Sequence, residues 1–115
     1  MMKRIFGLTV LALLAFTSCN NEEKVRKPEV FLEEQQMIDV LTDSYLIEAE
    51  LSQMKSEGKD VSALQNAYYN QLFEHYGIND SVFEQNMTYY TYHPAILERI
   101  MDSVTQRFLK AQEGQ

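Results

Sequence analysis

Any chemistry in this chain would have to come from a small set of side chains. Asp43 and Glu48 lie in one hydrophobic stretch, residues 37–54, about a turn and a half of helix apart. Two carboxylates so placed could run general acid/base chemistry or hold a cation. Glu48 projects near the middle of an apolar arc, where an acid is paired, protonated or open to a ligand. The competing reading is structural. Glu48 would then accept a hydrogen bond from a tyrosine hydroxyl, or pair with Arg99 or Arg107 from the last helix. Removing the partner of a buried charge costs about 3–5 kcal/mol, so a fold supplies one. Structural networks perturb carboxylates as much as active sites do, and the structural reading is preferred.

The remaining polar candidates carry less. His75 falls toward the apolar side of a second helical pattern, and His93 precedes Pro94 at a helix junction. Zinc needs three or four convergent ligands, and neither an HExxH motif nor a spare cysteine is present. No metal and no cofactor is expected. The seven tyrosines are Tyr45, Tyr68, Tyr69, Tyr76, Tyr89, Tyr90 and Tyr92. About half should fill the core with hydroxyls at its rim. Leu46, on the polar side of the central helix, and whichever of Tyr69, Tyr89 and Tyr92 face outward would form a partner-contact patch. No Ser/His/Asp arrangement, glycine-rich phosphate loop or basic stripe accompanies them.

The element that positions Asp43 and Glu48 is a long central helix. Met37, Ile38, Val40, Leu41, Tyr45, Ile47, Ala49, Leu51 and Met54 share one broad face at helical spacing. Such a face needs cover from two sides. Asp39, Thr42, Glu50 and Gln53 fall opposite and are expected in solvent. The helix should start between residues 29 and 33, after Pro28, and stop at Gly58. A second helix over residues 61–76 follows an Asp60 cap, with Val61, Leu64, Tyr68, Leu72 and Tyr76 inward and Gly77 as its end. Ser81 and Glu84 have capping-box spacing for a short third helix to residue 92, with Phe83, Met87 and Tyr90 inward. Pro94 opens the last helix, striped by Leu97, Ile100, Met101, Val104, Phe108 and Ala111. No strand signal of useful length is present. The expected fold is all-α, a small bundle of about four helices.

The chain of 115 residues carries a formal charge of −7. Lys3 and Arg4 precede an apolar run over residues 5–16, too short for a spanning helix of about 20 residues and matched to a secretory signal. The run ends Phe16-Thr17-Ser18-Cys19, which resembles the lipobox of bacterial lipoproteins. Phe16 stands where leucine is more usual. The resemblance implies cleavage before Cys19 and lipidation of this sole cysteine. A lone cysteine excludes an intramolecular disulfide. The reading divides the chain into a signal (1–18), a lipidated cysteine and flexible tether (19–28), a helical domain (29–112) and a frayed tail (113–115). Cleavage removes two cations and makes the mature chain still more acidic. That disfavours nucleic acid and anionic lipid head groups, leaving the acyl anchor as the membrane contact. Glu22-Glu23, just past the cysteine, loosely match the export signals of surface lipoproteins and equally suit a solvated spacer.

One longer pattern runs through the domain. It comprises Met37-Ile38-x-Val40-Leu41-x-Asp43-x-Tyr45-Leu46-x-Glu48-Ala49, then Tyr69, Phe73-x-x-Tyr76-Gly77-Ile78, Phe83, Tyr89-Tyr90 and His93-Pro94. In order and spacing it resembles the small Bacteroidota lipoprotein family called domain of unknown function 4296, over about residues 28–109. The resemblance implies a bacterial cell-envelope setting and supplies no activity. Two functions follow. The first is a non-enzymatic interaction or accessory module, anchored to the outer membrane and binding another envelope protein. The second is an enzyme or small-ligand binder using Glu48 and Asp43 in a pocket between helices. A domain this small has little core to give to a pocket, which favours the first.

Overall fold

The computed structural model of the chain describes residues 25–114. The signal, Cys19, Glu22-Glu23 and Gln115 lie outside the described residues. Within them the chain is all-α: α1 is Glu34–Ser56, α2 Ser62–His75, α3 Asp80–Thr91 and α4 Pro94–Glu113.

Helix α1 does not begin before Glu33. The Glu33 N–H donates to the Gln36 side chain at 2.9 Å, the return half of a capping box. The backbone just upstream stays extended because α3 holds it. Asn86 Oδ1 accepts the Leu32 N–H at 2.8 Å, and its Nδ2 donates to the Val30 carbonyl at 2.9 Å. The Tyr90 hydroxyl donates to the Leu32 carbonyl at 2.6 Å. Backbone groups bonded this way are not free to form a helical turn.

Both ends of the α1–α2–α3 run close as sequence chemistry dictates. Gly58 has φ +82° and Gly77 φ +67°, in the left-handed region that side chains resist. At the first corner Lys59 N–H bonds the Met54 carbonyl and Gly58 N–H the Lys55 carbonyl; at the second Ile78 bonds Phe73 and Gly77 bonds Glu74. These are two Schellman closures. The cap of α3 is Asn79, whose Oδ1 accepts the Val82 N–H at 2.9 Å. Ser81 and Glu84 therefore sit inside the helix and form no capping box. Asn79 wins because it is the extended residue immediately before the first turn.

Helix α1 is the axis of the bundle, packing most extensively on α4 and less on α2, while α3 covers the start of α4. Glu34 meets Arg99 and Asp39 meets Arg107, so α1 and α4 run parallel. Asp43 meets Tyr76 and Glu48 meets Tyr69, so α1 and α2 run antiparallel. The main core joins Leu32, Met37, Ile38 and Leu41 to Tyr89, Tyr90, Ile100 and Val104. Leu51, Val61 and Leu72 are buried apart from it, on the α2 side. The broad face of α1 is thus covered from two directions.

Thr42, Tyr45 and Leu64 differ from the helical faces read in the sequence. Thr42 is buried, not solvated, because its hydroxyl donates to the Ile38 carbonyl at 2.7 Å and leaves no unmet polar group. Tyr45 is 44% exposed, standing edge-on to Phe108 at 6.4 Å. Leu64 also faces solvent, since α2 is covered mainly by α1 and turns its opposite side outward.

Candidate functional site

The acids of α1 are divided between its two neighbours. On the α4 side, Arg99 makes two hydrogen bonds to the Glu34 carboxylate, at 3.1 and 3.2 Å, and Arg107 binds Asp39. The Arg99 guanidinium holds the Glu34 carboxyl below its ordinary range. On the α2 side the partners are phenols. Tyr76 donates to Asp43, and Tyr69 donates to Glu48. Burial raises both phenol pKa values, and the adjoining carboxylate raises each further. Arg99 and Arg107, considered as partners for Glu48, are both committed to other acids.

Glu48 is not a buried acid. Its side chain is exposed, and among the described residues only its hydrogen bond to Tyr69 ties it to the fold. The apolar arc of α1 is not sealed where Glu48 lies, so no burial accompanies its position. Asp43 is half-buried. The two carboxylates do not share one cavity. Asp43, with Ile47 and Glu50, lines one wall of an open groove of about 390 Å³ between α1 and α2; Tyr68, Leu72 and His75 line the other. Glu48 lies outside it. His75 is exposed rather than tucked into the apolar side of α2, and its ring meets Tyr76 edge-on at 4.9 Å. Among the described residues no group of three or more His, Cys, Asp or Glu side chains could hold a metal ion.

The expected tyrosine patch is rearranged. Tyr89 does not face outward: it is buried against Phe31, Tyr90 and His93, at ring separations of 5.2, 5.2 and 4.4 Å. Phe31 is drawn there because the extended arm before α1, residues 30–32, is pinned beside α3, and Tyr89 closes over it. Tyr69 is half-buried and occupied by Glu48, and Leu46 is half-buried on α1. Tyr92, 53% exposed at the α3–α4 corner, is the one exposed member of the four.

Asn86 is the residue that sequence reasoning passed over. It is fully buried, and its amide also donates to the Val82 carbonyl at 2.8 Å. A signal was present. Asn86 stands between Phe83, Met87 and Tyr90 on the apolar stripe of α3, where a residue of modest helix propensity has no packing advantage.

The family model Domain of unknown function (DUF4296) matches residues 28–114. The chain belongs to this family. No curated protein and no solved structure matches it. The DUF4296 match takes in the extended arm as well as all four helices. The arm is therefore part of the DUF4296 unit, fixed to it through Asn86 and Tyr90. No helix among the described residues of this DUF4296 chain is long and apolar enough to cross a membrane.

Proposed function

We propose that this chain is a non-catalytic protein-interaction module of a bacterial cell envelope, lipidated at Cys19 and held by that lipid on the outer membrane. The observation that carries the reading is the use made of Asp43 and Glu48. Each accepts a tyrosine hydroxyl from α2 and ties that helix to α1, so both acids serve the fold. General acid/base work asks for a carboxylate whose protonation is free to change in contact with substrate. A carboxylate engaged in joining two helices is poorly suited to it. The leader, with Lys3, Arg4, the apolar run and Cys19, supports export and anchoring. The family resemblance favours Bacteroidota as the source.

The partner is another envelope protein. Crosslinking of the intact lipidated protein in its native envelope, followed by its recovery, tests this, with Cys19→Ala as control. The expected result is one stoichiometric partner that disappears in the control. Recovery of no partner, with accumulation of a small molecule on the purified chain, would replace this reading with that of a ligand binder.

A further inference from the structure

The charge of α1 is balanced on one side and left open on the other. Toward α4, Glu34 and Asp39 each meet an arginine. Toward α2, Asp43 and Glu50 have no lysine or arginine in ion-pair reach among the described residues. Helix α2 could not provide one, since SALQNAYYNQLFEH contains neither residue type. The groove between the two helices is therefore an acidic slot whose walls carry no lysine or arginine, with His75 as the one basic side chain in its lining. Its floor is apolar, from Ile47 and the buried Leu72, and Tyr68 supplies an aromatic side.

We propose that this groove docks a basic segment of a partner polypeptide. A lysine or arginine stem lies on Ile47 and Leu72, and its charged head sits between Asp43 and Glu50. The proposal rests on the interaction-module reading and names the partner's chemistry. Lysine and arginine stems cover apolar surface while their heads stay at a polar rim, and the Tyr68 ring adds attraction for a cation. The Tyr76 hydrogen bond holds one carboxylate oxygen of Asp43, so this acid is already positioned before anything binds. Asp43, Ile47 and Glu50 are spaced along α1 over roughly 10 Å, the length of about three extended residues. The volume, about 390 Å³, lies near the small end of the ligand-site range of roughly 300–1,000 Å³.

The test is a titration of the purified full chain with a fluorescent hexapeptide of alternating lysine and leucine, beside a glutamine-for-lysine control. Glu50→Gln removes a groove charge that has no structural partner, and Asp43→Asn keeps an oxygen for Tyr76. Each is expected to weaken the lysine peptide by about two- to fivefold. Glu84→Gln, on the exposed side of α3, should leave it unchanged, and Ile47 and Tyr68 resonances should shift on binding. Equal weakening by Glu84→Gln would reduce the effect to net charge and overturn the proposal. So would undiminished binding of the glutamine peptide, or no binding of either. Displacement of the peptide by equimolar spermidine would replace the polypeptide with a free polyamine. An envelope partner still captured by the Asp43→Asn, Glu50→Gln double variant would overturn the groove and leave the interaction module standing.

Discussion

The hydroxyl of Tyr76 reaches from the C-cap of α2 to the Asp43 carboxylate and also lies 3.3 Å from the Asp39 carbonyl, one turn earlier on α1. The Asp39 side chain in turn binds Arg107 of α4. A single turn of α1 is thus the point where α2 and α4 are both fastened. Tyr69 and Glu48 repeat the phenol–carboxylate tie farther along α1, in a more exposed place.

The two ties should differ in strength. Tyr76→Phe is expected to cost about 1–2 kcal/mol, as for the loss of a partly buried bond to a charged acceptor. Tyr69→Phe should cost less, because water can replace the lost donor at Glu48. Urea midpoints of the two variants measure this. A larger loss at Tyr69 would reverse the assignment of Tyr76 as the main fastening.

Asn86→Ala should be among the most damaging polar substitutions. It strands the buried Leu32 N–H and leaves a space in a fully buried position. The expected cost is about 2–3 kcal/mol. Hydrogen exchange at the Leu32 amide should accelerate before global unfolding does. An unchanged Leu32 amide would mean that Tyr90 alone holds the arm.

Gly58→Ala and Gly77→Ala isolate a backbone effect. A Cβ at either site meets nothing within 4 Å, so only the positive φ is penalised. About 1–2 kcal/mol is expected for each. Asparagine, which tolerates the left-handed region, should recover part of the loss at both corners. Equal stability of the alanine and asparagine variants would place the cost elsewhere.

Stability should fall at alkaline pH. Burial lifts the Tyr90 phenol from 10.0 to about 12, with smaller contributions from Tyr89, Glu34 and Glu33. A raised pKa in the folded state favours the protonated form. The stabilisation is complete below pH 10 and is lost as pH rises through 12. Tyr69 and Tyr76 are raised as well and extend the same limb upward. Tyr90→Phe should therefore flatten the decline between pH 10 and 12. A decline of unchanged steepness in that variant would assign it to other groups.

Much of the fold was legible because its signals are local. Gly58 and Gly77 end helices through their own backbone freedom, and Pro94 sits where a first helical turn tolerates it. The stripe from Leu97 to Phe108 needs only the helical period to be read as a buried face. The site was less legible. Wheel position placed Glu48 amid apolar residues, yet it cannot tell whether a neighbouring helix extends that far. Tyr89 and Tyr90 are adjacent and alike in sequence, and both are buried because Phe31 arrives from a separate segment.

By itself the sequence determined four helices, their corners and the acidic balance. Each of these depends on residues close together in the chain, through backbone preference, helical period or net charge. The tertiary structure decided which acids of α1 meet arginine and which meet tyrosine. It also decided that Asn86 fastens the arm and that Asp43, but not Glu48, faces the groove. Those outcomes join residues separated by 21 to 68 positions. They follow from the register of one helix against another, which the summed packing of the whole core sets and no single stretch encodes.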